Sequence, residues 1–216
     1  MNIIFIAPPA AGKGTQAGLL KEEYNLYHLS TGDLFREIAA TDTELGREVK
    51  NKIDNGILIE DELTVRLLKE KISSLIGYNG VIFDGFPRTI NQANMLNELL
   101  KEMNQKVDYV ISLIIDKTLA MQRAVGRVTC TGCNSIFNIY DEESVGLKET
   151  MKCPKCGADL MHRDDDTEEK FNVRFDTYME KTKPLVDYYK NMNLLHEVAC
   201  AEEREDTYNR IKEVLK

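Results

Sequence analysis

Asn2-Ile3-Ile4-Phe5-Ile6-Ala7-Pro8-Pro9-Ala10-Ala11-Gly12-Lys13-Gly14-Thr15 is the stretch on which the fold turns. Asn2 to Ala7 reads as a buried β run, apolar without a break from Ile3, the pattern of a strand covered on both faces rather than the alternation of a half-exposed one. Pro8-Pro9 ends it. From Gly12 to about Glu23 the pattern becomes helical, with Leu19, Leu20 and Tyr24 as inward positions. A loop joining a buried strand to a helix turns backbone N–H groups and the helix N-terminus toward one point, where a phosphate is held and a lysine follows its outer oxygens. The strict spelling G-x-x-x-x-G-K-[ST] is not met. Ala7 stands at the first glycine, and Gly14 separates Lys13 from Thr15. The context nonetheless supplies what the chemistry needs.

Working outward, apolar strands alternate with helices. A short apolar piece, Tyr27 to Leu29, precedes Ser30-Thr31-Gly32-Asp33, a helix-start signal. Two or three helices fill Leu34 to Ser74, broken at Asn55-Gly56. Strands are expected at Gly80–Asp84, Tyr109–Ile115 and Leu194–Ala199, and helices at Asn91–Met103, Lys117–Val125, Glu168–Met192 and from Glu205 onward. This rhythm predicts an α/β chain whose parallel sheet is covered on both faces.

The region from Thr129 to Asp159 breaks the rhythm. It holds Cys130-x-x-Cys133 and Cys153-x-x-Cys156, while Cys200 stands alone. Without a secretory leader, two such pairs read as four thiolates around one zinc ion rather than as disulfides. Four thiolates fill a tetrahedron and leave no open position, so the zinc is structural. Cys200 reads as an ordinary core thiol.

Composition narrows the function classes. A net charge of −8 disfavours a nucleic-acid binder held by bulk positive field, though not a local basic pocket for a small anion. No apolar run reaches the roughly 18 to 20 residues that span a bilayer. The expectation is a cytoplasmic monomer without membrane or nucleic-acid partners.

The order of the groups along the chain sharpens the reading. Ala10-Ala11-Gly12-Lys13-Gly14-Thr15-Gln16-Ala17, then Ser30-Thr31-Gly32-Asp33 with Arg36, then Asp84-Gly85-Phe86-Pro87-Arg88-Thr89 with Gln92 follow one another. After them come Arg123-x-x-x-Arg127, the cysteine insert, Arg163-x-Asp165-Asp166, Arg174 and Lys183-Pro184-Leu185. In this order the set resembles the adenylate kinase family over essentially the whole chain, and the long insert with four cysteines resembles its long-lid, zinc-binding subgroup. The resemblance implies a P-loop three-layer α/β/α fold. Residues 1–29, 60–126 and 165–216 would form the core, 30–59 an acceptor-binding domain, and 127–164 a zinc-bearing lid. It implies ATP, AMP and ADP as ligands and magnesium with the ATP.

The roles it implies are specific. Ala10, Ala11, Gly12, Lys13, Gly14 and Thr15 wrap the donor phosphates. Arg36 and Arg88 hold the acceptor phosphate, Arg123 and Arg127 meet the donor phosphates, and Arg163 and Arg174 bridge the transfer zone. Thr31, Gly85 and Gln92 select the acceptor base, with Phe86, Pro87, Ile57, Leu58 and Ile59 along its pocket. Ile136, Phe137 and the backbone at Glu202 cover the donor base. Asp33 and Asp84 steer magnesium through its waters, and Asp165 and Asp166 tether the closed lid. Ala7 and Ala10 replace glycines usual in that family, which raises a second expectation: a nucleotide-binding sensor with little turnover. A related kinase with another donor or acceptor base is the alternative within the enzyme class.

Overall fold

The computed structural model describes residues 1–141, 146–201 and 203–216. Five parallel strands form the central sheet: β1 (Ile3–Ile6), β2 (Tyr27–Ser30), β3 (Val81–Asp84), β4 (Tyr109–Ile114) and, as the last strand of the chain, Leu195–Ala199 (β8). Their spatial order is β2-β3-β1-β4-β8. The unbroken apolar run of β1 serves two cores at once. Ile4 and Ile6 face one, with Phe83, Leu96 and Tyr189; Ile3 and Phe5 face the other, with Leu20, Ile111 and Ile211. That is the period-2 geometry of a strand buried on both sides.

Helices α1 (Lys13–Tyr24), α2 (Thr31–Ala39), α3 (Glu44–Asp54), α4 (Asp61–Ser73), α5 (Ile90–Glu102) and α6 (Lys117–Val125) follow the expected segments within a few residues. Their starts are set by side chains that accept the first free backbone N–H groups: Ser30 from Asp33, Thr43 from Gly46, Thr89 from Gln92, and Asp116 from Thr118 and Leu119. The stretch expected as one helix from Glu168 to Met192 is divided. After a short helix in the insert (α7, Leu147–Thr150), α8 (Glu168–Thr177) passes through a wide π turn at Tyr178–Thr182 into α9 (Pro184–Asn191), and α10 (Arg204–Val214) closes the chain. Pro184 has no N–H to continue the ladder and takes the first position of a new helix.

The insert forms a separate antiparallel sheet ordered β6 (Ile136–Asn138), β5 (Arg127–Cys130), β7 (Leu160–His162). Its core is small: Val128, Cys130, Leu147, Cys153 and Leu160. A second satellite core, Phe35, Val49 and Ile59, lies under α2 and α3. Among the described residues, no helix is long and apolar enough to cross a membrane.

Candidate active site

In an open parallel sheet, ligands gather at the carboxyl ends of the strands where the chain order reverses, here around β1 between β3 and β4. The loop after β1, the Gly85 turn after β3, the start of α2 and the insert sheet enclose one cleft of about 1220 Å³. That exceeds the size common for a single small ligand and suits two. The cleft walls include Ala10 to Thr15, Asp33, Arg36, Ile57 to Ile59, Asp84 to Arg88 and Gln92, and also Arg123, Arg127, Ile136, Phe137, Arg163, Asp165 and Arg174.

The loop after β1 is shaped by its backbone. Gly12 enters α1 with φ 91°, and Ala10 is held at φ 58°. An alanine in this left-handed region costs about 1 kcal/mol more than a glycine. Ala7 carries no such strain; it lies outside the positive-φ residues and packs, 7 % exposed, against the core. Of the two glycine positions filled by alanine, one is therefore strained. Lys13 Nζ donates to the carbonyls of Ala7 and Pro8, each at 3.0 Å. Desolvation, with Arg88, Arg127 and Arg174 nearby, lowers its pKa to about 8 against the pull of Asp84.

At the turn after β3, Gly85 sits at φ 81°, and a Cβ there would lie 2.7 Å from Thr31 Oγ1. Thr31 is itself buried behind the turn and donates to the Asp84 carbonyl at 3.3 Å. Arg88 Nε donates to the Gly85 carbonyl at 2.8 Å, which aims the guanidinium along the turn. Asp84 Oδ2 lies 3.1 Å from His28 Nε2. Asp33 pairs with Arg36, and the Ser30 and Arg36 hydrogen bonds hold its carboxyl below the usual range despite burial. The helix cap is Ser30, whose Oγ accepts from the Asp33 N–H at 3.2 Å, and the Asp33 carboxylate faces Arg36.

At the insert, Asp166 lies with its side chain fully buried between two guanidiniums. Arg127 Nε donates to Oδ2 at 2.7 Å and Arg174 Nη2 to Oδ1 at 3.2 Å, while Arg174 Nη1 reaches Asp165 Oδ2 at 2.6 Å. Arg163 donates to Thr129 Oγ1 at 3.4 Å, and burial together with Arg127 and Arg36 lowers its pKa to about 10. Arg123 donates to the Ala201 carbonyl at 3.0 Å. Glu202 lies outside the described residues; its neighbours Ala201 and Glu203 line the cleft. The fold therefore gathers the six arginines and Lys13 from distant parts of the chain into one basic cleft within a protein of net charge −8.

The four cysteine sulfurs lie within 4.8 Å of one another. Cys130 Sγ is 3.4 Å from Cys156 Sγ, and Cys133 Sγ is 3.7 Å from Cys153 Sγ. Backbone N–H groups of Gly132 and Cys133 point at Cys130 Sγ, at 3.3 and 3.4 Å. These cysteines are positioned to bind one metal ion. Cys200 is partly buried apart from them, with its thiol 3.5 Å from the Ala11 carbonyl.

Two contacts escaped the sequence reading. His28 on Asp84, and Asp61 on Gln92 at 2.7 Å, join residues 56 and 31 positions apart. A histidine in a short apolar piece and an acidic residue opening a helix carry no motif of their own.

Comparison with known proteins follows this geometry. A family model described as "Adenylate kinase" matches residues 5–194. The adenylate kinase of Archaeoglobus fulgidus is 40 % identical over 215 residues, covering all of this chain and 98 % of that protein. Those of Clostridium tetani and Fervidobacterium nodosum are 39 % identical over 215 residues and 44 % over 195, covering 98 % and 88 % of their own lengths. The family match runs from β1 through the cysteine insert to the edge of β8, the match to the Archaeoglobus fulgidus protein covers the whole chain, and the chain belongs to the adenylate kinase family.

Proposed function

We propose that this protein catalyses the reversible transfer of the terminal phosphoryl group of MgATP to AMP, giving two ADP. One observation carries the reading: six arginines and a lysine converge on a cleft large enough for two nucleotides. Phosphoryl transfer asks for little covalent chemistry. Two polyanions must be brought in line, their repulsion offset, and water kept out. Guanidiniums suit the task because they grip phosphate oxygens bidentately and stay charged.

In this reading the loop from Ala10 to Thr15 and Lys13 hold the donor phosphates with Arg123 and Arg127. On arrival of phosphate, Lys13 exchanges the Ala7 and Pro8 carbonyls for anionic oxygens. Arg36 and Arg88 hold the acceptor phosphate, and Arg163 and Arg174 lie between. Thr31, Gly85 and Gln92 read the acceptor base beside Phe86, Pro87, Ile57, Leu58 and Ile59. Ile136, Phe137 and the chain around Glu202 cover the donor base. Asp33 and Asp84 offer hard carboxylate oxygens suited to the waters of magnesium, which would neutralise phosphate charge when bound. Asp165 and Asp166 tether the insert sheet to α8 through Arg127 and Arg174. Residues 127–164 act as the lid, 30–59 as the acceptor arm, and the remainder as the core; closing both arms excludes water that would otherwise hydrolyse ATP.

Zinc is the metal we assign to the four thiolates. Zn–S bonds of about 2.3 Å place tetrahedral sulfurs about 3.8 Å apart, near the separations found here. We read the protein as a cytoplasmic monomer, a setting that reduced thiolates fit.

ADP production from ATP with and without AMP tests the proposal; equal production in both cases would mean an ATPase instead. The strained Ala10 favours one second reading, a sensor that binds both nucleotides with little turnover. Tight binding of a two-adenosine, five-phosphate ligand by a protein that forms no ADP would select it. A kinase for another donor or acceptor base would show itself by a faster rate with GTP, GMP, CMP or UMP.

A further inference from the structure

A carboxamide reads a base only if its two ends are told apart, because a half-turn of its last torsion exchanges donor for acceptor. Gln92 has both ends assigned. The Arg88 backbone N–H donates to its Oε1 at 2.7 Å, and its Nε2 donates to Asp61 Oδ1 at 2.7 Å. Asp61 is held in turn, its Oδ2 accepting from Asn91 Nδ2 at 2.6 Å. Turned around, Gln92 would set NH₂ against the Arg88 N–H and its oxygen against a carboxylate. Both oppositions would be desolvated, since Gln92 is 3 % exposed. The backbone is fixed as well, Gln92 N–H donating to Thr89 Oγ1 at 3.1 Å.

We infer that Asp61, which is not itself a cleft residue, is a positioning residue that sets acceptor-base selection by locking the Gln92 carboxamide. The lock leaves one lone pair on Oε1 and one hydrogen on Nε2. A 6-aminopurine offers an N–H donor at position 6 and an acceptor at N1, which matches that pair. A 6-oxopurine offers an acceptor at position 6 and an N1–H donor, and mismatches at both. The inference rests on the reading of Gln92 as the residue that meets the acceptor base.

The test compares kcat/KM for AMP and for IMP, with MgATP as donor, in the wild type, Asp61→Asn, the double variant Asp61→Asn/Asn91→Asp, and Gln92→Ala. In Asp61→Asn, the Asn91 amide keeps the oxygen of residue 61 and turns the new NH₂ toward Gln92, donor against donor. Losing this charge-assisted hydrogen bond lowers the AMP-over-IMP preference by about tenfold, as a raised KM for AMP with KM for ATP unchanged. The double variant gives residue 61 a carboxylate partner for its NH₂, returns its oxygen to Gln92 and restores most of the preference. Thermal unfolding of each variant checks that the fold is kept, and Asp61→Ala, which also lacks the acceptor for Nε2, serves if Asp61→Asn fails to fold. An unchanged preference in Asp61→Asn, or a double variant no better than the single one, overturns the inference. A wild type selective for AMP whose selectivity survives Gln92→Ala removes the Gln92 reading instead, and a wild type that phosphorylates no AMP removes the proposed activity.

Discussion

Asp166→Asn removes the charge buried between Arg127 and Arg174 with one atom exchanged. Asp166 has no exposed side-chain surface and accepts from Arg127 and Arg174, whose side chains are 18 % and 20 % exposed. An asparagine keeps one acceptor oxygen and turns an NH₂ toward a guanidinium, so at least one hydrogen bond becomes a donor facing a donor. Removing one partner of a buried ion pair costs about 3–5 kcal/mol. The lower end applies here, because Asp165 still pairs with Arg174 and the cleft admits water. For a chain of this length, each kcal/mol moves the midpoint by about 2–4 °C, so the variant should unfold about 6–12 °C below the wild type. The missing negative charge can be replaced by polyphosphate. A two-adenosine, five-phosphate ligand at equal saturation should therefore raise the midpoint more in Asp166→Asn than in the wild type. Differential scanning fluorimetry with and without that ligand reads both quantities. A midpoint within about 1 °C of wild type, with equal ligand stabilisation, would refute the electrostatic account of this cluster.

Gly85→Ala combines a left-handed φ with a Cβ 2.7 Å from Thr31 Oγ1, so it should cost about 1–2 kcal/mol in urea unfolding and raise KM for AMP with little change in KM for ATP. Lys13, with its pKa lowered to about 8, loses its ammonium as pH rises through that value. Donor affinity measured by calorimetry should therefore weaken above about pH 8, where an ordinary lysine would still be charged. Its effect on stability has the opposite sign. Between about pH 8 and the ordinary lysine value the unfolded chain binds more protons, so Lys13's contribution to stability rises with pH across that window. Chelating the metal should release hydrogen-exchange protection in β5, β6 and β7 while β1, β3 and β4 stay protected, because the insert core is little more than Val128, Leu147, Leu160 and two of the cysteines. Simultaneous loss of protection in both sheets would count against a separately stapled insert.

Much of this was legible in the sequence because it is written locally. The buried run of β1, the helix start at Ser30 and the two cysteine pairs each carry their signal within a few residues. Elements of three or four residues carry less. β5, β6 and β7 are too short for a period to emerge, and β2 is a half-buried edge strand. The Glu168–Met192 stretch keeps its helical character across the π turn, and Pro184 alone marks the break. The partners of His28 and Asp61 are tertiary and leave no trace in spacing. The φ of Ala10 is equally hidden, since alanine has no tendency toward the left-handed region that the loop imposes on it.

The central claim, that this cleft moves a phosphoryl group between two adenine nucleotides, is met most directly by following ³¹P NMR of the protein with magnesium, ATP and AMP. The account predicts ADP resonances growing as those of ATP and AMP decline together, with no inorganic phosphate and no ADP when AMP is omitted. ATP and AMP that both bind yet remain unchanged, or phosphate released from ATP alone, would contradict it.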